Sequence, residues 1–170
     1  TNGGVASYDG RRVVSHAGKG GALAGTVWSG AIDRHGALWF GTDRGLVSYD
    51  GEKFRTFLRA DGLADDYVYS LFPASDGSIW LGSRGQGVAR CTLEPGGRLG
   101  NCRVFTAADG LGHNSVRAIT EDRQGTLYFA TRGGGLARFD GQSFTRLPGA
   151  DGLRADDIYG LLLTRDGREF

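Results

Sequence analysis

This chain repeats itself, and the period of the repeat limits what it can fold into. The phrase DRHGALWFGT at 33–42 returns as SDGSIWLGS at 75–83 and as DRQGTLYFAT at 122–131, and it begins again as RDGREF at the C-terminus. A second phrase, GLVSYDG at 45–51, returns as GVARCT and GLARFDG and stands near the start as GVASYDG. A third, ADGL, occupies 60–63, 108–111 and 150–153. Gly36, Gly77, Gly125 and Gly167 lie 41, 48 and 42 residues apart, so the unit is about 42 residues and one copy is enlarged by six. Repeats of this length belong to arrays in which each unit hides its apolar surface against the next.

Within a unit the pattern is that of strands. In the first full copy VWSGAI is followed by the turn DRHG, whose leading Asp33 and closing Gly36 suit a type I turn. ALWFGT, LVSYD and FRTFL follow as further strands, separated by DRG and by the turn DGEK. No window keeps a 3.6-residue period, and 31 glycines in 170 residues interrupt any helix. The expected unit is a four-stranded antiparallel meander with nothing helical, the blade of an all-β propeller. Trp39, Trp80 and Tyr128 fill the same place in three successive units and are read as residues that pack blade on blade.

The strand count gives a half-blade at 1–18, blades at about 25–58, 67–107 and 115–147, and a half-blade at 157–170. The expected architecture is therefore a single propeller domain or propeller fragment over 1–170, with three complete blades and two complementary half-blades. The two halves could complete one blade within a chain, giving four blades, or between two chains, giving eight. An open arc would instead expose strand edges that invite self-association. The chain opens on TNGG without a Met, as a processed or excised piece would.

The phrase D-x-x-G-x-L-W-F-G-T followed by G-L-x-x-Y-D-G resembles the two-component regulator propeller repeat, best at 33–51, 76–90 and 122–141. It lacks the Gly-His and Trp-Asp phrases of WD40 repeats. The resemblance implies a periplasmic sensor propeller of a bacterial membrane-bound signalling protein. Hybrid histidine kinases that respond to carbohydrate fragments are prominent in that family.

Both cysteines lie in the enlarged copy, at Cys91 and Cys102. Aligned on the repeat, Cys91 stands where the first unit has Tyr49, and Cys102 where it has Phe54. Phe139 and Phe144, and Tyr8 and Val13, flank the same turn in other copies. These are facing places on a hairpin, at a spacing that a disulfide can span. A bridge would pin a hairpin loop longer than its siblings and would suit a periplasmic or extracellular setting. The alternative is two reduced thiols filling an apolar slot. Zinc lacks further ligands nearby.

Net charge is +1, which gives no basic field for nucleic acid. No apolar run approaches the roughly 20 residues that cross a bilayer, and no signal peptide is present. The glycines of TRGGGL join strand to strand, with no helix to receive a phosphate. His16, His35 and His113 fall in different places of different units, which argues against a catalytic pair. Asp65–Asp66 and Asp156–Asp157 recur at one repeat position, as turn or capping residues would. No cofactor or metal site is expected.

A ligand would meet the loop face formed by the second-to-third and blade-to-blade connections. The first set carries Asp43, Arg44, Arg84, Gln86 and Arg132, and the second Asp66, Tyr67, Asn114, Arg117, Asp157 and Tyr159. Arginines, acids and tyrosines around an opening suit a small polar ligand such as an oligosaccharide; a solvated loop face is the alternative. Arg84 and Arg132 share a repeat position, which favours a structural role for that pair. Three functions are then open. The expected one is a non-catalytic ligand-sensing propeller module from the extracytoplasmic part of a two-component-type protein. A protein–protein interaction scaffold is the alternative. A propeller lyase would need a histidine and an acid converging on one face.

Overall fold

The structure is a computed structural model that describes residues 4–8, 10–16, 21–147 and 157–162. The strands are β1 (Ala6–Tyr8), β2 (Val13–Ser15), β3 (Val27–Ile32), β4 (Leu38–Thr42), β5 (Gly45–Tyr49), β6 (Phe54–Phe57), β7 (Val68–Pro73), β8 (Ser78–Ser83), β9 (Val88–Glu94), β10 (Arg98–Phe105), β11 (Val116–Glu121), β12 (Leu127–Thr131), β13 (Gly135–Phe139) and β14 (Phe144–Leu147). They form three four-stranded antiparallel meanders, β3–β6, β7–β10 and β11–β14, and one two-stranded sheet, β1–β2. Repeat positions coincide in register. Trp39 pairs with Ala31 and Ser48, Trp80 with Phe72 and Arg90, and Tyr128 with Thr120 and Arg138.

Two cores lie between successive sheets. Trp39, Leu46 and Phe57 of the first sheet meet Ile79, Leu81 and Ala89 of the second. Trp80, Val88 and Phe105 of the second meet Leu127, Phe129 and Phe139 of the third. Trp39 stacks on Phe57 at 5.8 Å and Trp80 on Phe105 at 5.6 Å, the same pair in consecutive units. Both tryptophans are fully buried, and truncating a side chain of this kind costs about 3–5 kcal/mol. Tyr128 holds the equivalent register but is only partly buried. The sheets approach closely because Gly41, next to last in β4, has no side chain. A Cβ there would lie 2.9 Å from the Val68 carbonyl oxygen of the next sheet.

The ADGL phrase departs from the all-strand expectation. Its first two copies each form one turn of 3-10 helix, at Arg59–Asp61 and Ala107–Asp109. Asp61 accepts the Leu58 N–H and Asp109 the Thr106 N–H, both at 2.8 Å. Gly62 (φ 102°) and Gly110 (φ 97°) close the turns in the left-handed region that glycine favours. These turns then deliver Leu63 and Leu111 into the cores. The third copy lies outside the described residues, as do Asp156, Gly167 and the rest of the last part-unit from residue 163.

Each second strand carries its own device for holding its aromatic residue. Asp33 Oδ1 accepts the N–H groups of His35 (2.8 Å) and Ala37 (3.0 Å), and Oδ2 accepts Trp39 Nε1–H at 2.8 Å. Asp122 does the same for Gln124, Thr126 and Tyr128 Oη. The second unit has Ala74 at this place. There Asp76 caps the turn through Ser78 and pairs with Arg90 at 2.6 Å. Trp80 Nε1, though buried, has no acceptor, and an orphaned buried donor costs about 1–3 kcal/mol.

The disulfide between Cys91 and Cys102 is formed. The two cysteines are directly opposite, like Tyr49 and Phe54, Phe139 and Phe144, and Tyr8 and Val13. Cys91 belongs to the core between the first two sheets, and a side chain on Gly62 would strike Cys102 Cβ. The six extra residues are not the long loop expected from sequence. β9 and β10 continue past the disulfide with a bulge between Leu99 and Cys102, and the reversal is confined to Pro95–Gly97. Leu93 and Leu99 supply the apolar face that makes the extension a strand pair. Its tip rests on the first sheet: Ser48 Oγ donates to the Gly97 carbonyl and Arg55 Nη1 to the Gly96 carbonyl, each at 2.6 Å.

These devices can be tested one by one. Ala74→Asp supplies the missing acceptor and raises stability by about 1 kcal/mol, a rise of about 2–4 °C in the calorimetric midpoint. An unchanged or lower midpoint would show that Trp80 gains nothing from it. Replacing both Cys91 and Cys102 with Ala removes about 3 kcal/mol, read as a lower urea midpoint. Dithiothreitol then shifts the parent protein but leaves the double variant where it is.

Candidate functional site

Successive sheets converge through their first strands: β3 lies against β7, and β7 against β11. The segment Asp157–Leu162 continues the series. Arg132 and Asp157 form a bridge, and the Ile158 N–H donates to the Thr131 carbonyl. Each first strand begins with a valine, Val27, Val68 or Val116, and Ile158 holds the same repeat position in the segment beyond the third sheet. Val68 and Val116 are buried. In β3, β7 and β11 the next residue is the unpaired residue of a β-bulge against the second strand, which re-aims its side chain. Those next residues are Trp28, Tyr69 and Arg117, and Tyr159 follows Ile158 in the same way.

They form a continuous row. The Trp28 ring lies 5.1 Å from that of Tyr69, edge-on, and 5.7 Å from that of Tyr67. Tyr67 and Tyr69 are 4.8 Å apart. The Arg117 guanidinium lies 4.0 Å from the Tyr69 ring and 5.4 Å from that of Tyr159, and Arg84 lies 5.3 Å from Tyr67. Trp28 is 45% exposed and Tyr159 is 66% exposed. Aromatic faces held in line and open to solvent are surfaces on which flat or ring-shaped ligands stack.

A second feature adjoins the row. Arg84, His113, Ser115, Arg132, Gly133 and Asp157 line an open groove of about 360 Å³. Arg132 Nε stands 4.0 Å from Asp157 Oδ1.

The residues expected from sequence divide between these places and the turns. Tyr67, Arg84, Arg117 and Tyr159 are brought together in the row, and Arg84, Arg132 and Asp157 meet at the groove. Asp66 and Asn114 cap the 3-10 turns, accepting the N–H groups of Arg59 and Ala107 at 2.7 Å. Asp65 accepts the Tyr67 N–H. Asp43 accepts the Thr26 N–H through Oδ1 at 3.0 Å. Arg44 and Gln86 are exposed, and their backbone N–H groups donate to Thr42 and Ser83 hydroxyls. The backbone N–H groups of Arg84 and Arg132 bond the Tyr67 and Ser115 carbonyls.

The histidines lie in three separate places. His16 lines a small apolar hollow with Val5, Leu23, Phe40 and Phe54, His35 is exposed on a turn, and His113 is at the groove. Among the described residues no three metal-ligating side chains converge, and no helix is long and apolar enough to cross a membrane. Trp28 and Tyr69 were missed by sequence reasoning because they sit inside apolar runs. Their signal is positional: a large side chain directly after the β-branched residue that opens each first strand.

Four-stranded antiparallel sheets that lean on one another through their first strands define an all-β domain of the propeller type. Residues 62–85 and 110–133 match the two component regulator propeller family. Those two stretches are similar to repeats of that family, as the sequence phrases imply. Its fold is similar to the extracellular domain of the hybrid two component system BT3049 from B. thetaiotaomicron. The TM-score is 0.82 at 22% identity, covering 99% of this chain and 23% of that one. The extracellular domain of the one component system BT4673 from the same organism aligns at TM-score 0.49 and 20% identity, over 93% of this chain and 28% of that one. The chain therefore spans about a quarter of the length of these structures. No curated protein matches it.

Removal from water, and then the neighbouring Tyr69 hydroxyl, push the Tyr67 phenol above the ordinary tyrosine value. The fold thus favours the neutral phenol. The stability this gives is present below the unfolded value of about 10 and is lost as pH rises through the folded one. Tyr67→Phe keeps the ring and removes the titration. Its melting temperature should fall less than that of the parent protein between pH 9 and pH 11; equal falls would place the phenol in water.

Proposed function

We propose that this chain is a non-catalytic ligand-binding part of the extracytoplasmic propeller of a two-component-type signalling protein, and that the row Trp28, Tyr69, Arg117 and Tyr159 receives an oligosaccharide. The single observation that carries this reading is the aromatic and arginine row, open to solvent at Trp28 and Tyr159, at one repeat position of three successive first strands and of the segment that follows the third sheet. Sugar rings stack on aromatic faces through their C–H edges, and a guanidinium between two phenols offers hydrogen bonds to hydroxyl groups. The disulfide fits an oxidising compartment, and the similar structure from B. thetaiotaomicron is an extracellular domain. The separation of the three histidines supports binding without catalysis.

In this reading the three four-stranded sheets are three complete blades. The part-units at either end are halves that complete one another, within one chain or between two. A scaffold function is the second reading. It is favoured by Val13 and Val14, which are exposed on β2 of the two-stranded sheet, an edge able to take up another strand.

Fluorescence tests the first reading, because Trp39 and Trp80 are buried and Trp28 is not. A panel of oligosaccharides should contain one that shifts the exposed emission to shorter wavelength and protects it from acrylamide. Trp28→Ala should weaken that ligand about tenfold or more, the loss expected of a central aromatic anchor. A panel without effect, together with stoichiometric capture of a protein partner, would favour the scaffold.

A further inference from the structure

The groove beside the aromatic row has a chemistry of its own. Two arginines, one histidine and one serine face it. Ser115 is 3% exposed, and its Oγ has no hydrogen-bond partner. A buried hydroxyl without a partner is held ready for one that arrives from outside, since leaving it unmatched is costly. His113 Nδ1 accepts the Ser115 N–H at 3.0 Å. The proton of the neutral imidazole is then on Nε2, which leaves that nitrogen as a donor. Among the described residues Arg84 makes no ion pair, and Arg132 is only loosely paired with Asp157 at 4.0 Å. The donors around the groove thus outnumber its single carboxylate.

Comparison of the repeats shows how the groove arises. Ser115 stands where the second unit has Tyr67, Gly134 where it has Gln86, and His113 where it has Asp65. The third unit therefore lacks the phenol and the amide that occupy these places in the second, and it exchanges an acid for an imidazole. Nor can Gly134 take a side chain. A Cβ there would lie 2.6 Å from the Gly112 backbone and 2.7 Å from His113 Cβ. The close packing of Gly134 holds His113 beside Ser115.

We infer that this groove binds the anionic substituent, a carboxylate or a sulfate, of a ligand whose rings lie along the aromatic row. Arg84 and Arg132 supply charge-assisted donors, and the Ser115 hydroxyl and His113 Nε2–H complete the set. The ring half of this statement rests on the function proposed above. The groove and row are joined by Arg84, which lies over Tyr67, and by Asp157, two residues from Tyr159.

The test is a titration of the ¹⁵N-labelled chain with sodium sulfate, sodium glucuronate and glucose at constant ionic strength, following the amides of Ser115 and Arg132. Sulfate and glucuronate should shift these amides saturably, and glucose should not. Arg84→Gln with Arg132→Gln should weaken both anions about tenfold or more, and Ser115→Ala about threefold with a melting temperature that does not fall. Both arginine positions are exposed, so the double variant retains the fold. Shifts that stay linear with sulfate, persist in the arginine variant, or appear equally with glucose would overturn the anion site. Trp28→Ala separates the two readings. It should weaken glucuronate and leave sulfate unchanged. If both anions are unaffected by Trp28→Ala yet lost in the arginine variant, the anion site stands and the stacking row falls. If Trp28→Ala weakens glucuronate while sulfate never saturates, the row stands and the anion site falls.

Discussion

The burial of one aromatic side chain per unit against the next sheet is the constraint on which the other features depend. Trp39 and Trp80 project from the second strand of one meander into the first three strands of its neighbour. A twisted four-stranded sheet has two faces and no layer of its own to cover either, so each sheet supplies the cover for the one before it. The glycine next to last in β4 and the leucine delivered by each 3-10 turn serve this contact. The first lets the sheets approach, and the second closes the gap at the connector. With the first strands drawn together in this way, the bulge residue that turns away from the core in each of them is placed beside its counterpart in the next. The exposed row of Trp28, Tyr69, Arg117 and Tyr159 is thus a by-product of the packing that buries their neighbours.

The second unit shows how a repeat can depart from its pattern and stay in place. It has lost the aspartate that elsewhere accepts a hydrogen bond from the buried aromatic residue, leaving Trp80 Nε1 without an acceptor. It has gained a disulfide and a longer hairpin, whose tip accepts hydrogen bonds from Ser48 and Arg55 of the first sheet. The loss lies on the face toward the third sheet and the gains on the face toward the first. Both interfaces of this unit combine apolar packing with hydrogen bonds, Ser70 to the Val116 carbonyl and Ser75 to Glu121 on the side of the third sheet, and the interface with the first sheet has a covalent link beside it.

Much of this was legible from the repeat. Aligning the copies identified Cys91 and Cys102 as facing residues, because Tyr49 and Phe54 or Phe139 and Phe144 fill those places elsewhere and register is preserved between copies. Alignment also placed Trp39, Trp80 and Tyr128 at one position. It could not tell that Tyr128 would be less covered than the other two, since its cover depends on the neighbour packed against the far face of the third sheet. The hairpin extension was misread as a loop because Pro95, Gly96 and Gly97 dominate its composition. Leu93 and Leu99, which make it a strand pair, take their meaning only from the first sheet beneath them. Trp28 and Tyr69 looked like members of buried runs, because alternation within a short apolar strand says that two faces differ but not which one meets water. Asp66 is the capping residue that its repeat position suggested, and Asn114, which looked available, caps the next copy in the same way, each bonded to a backbone N–H seven residues earlier. Ser115 gave no signal at all. Its interest comes from a hydroxyl left alone in three dimensions.

The tip of the β9–β10 hairpin resting on the first sheet has a mechanical consequence. In a linear array with equal contacts, a pulling force peels units from whichever end it grips. Here the hairpin tip fastens the second unit to the first, while the hydrogen bonds of Ser70 and Ser75 and the Arg117 guanidinium on the Tyr69 ring fasten it to the third. A strain entering from either end is therefore carried through both seams rather than peeling one unit at a time.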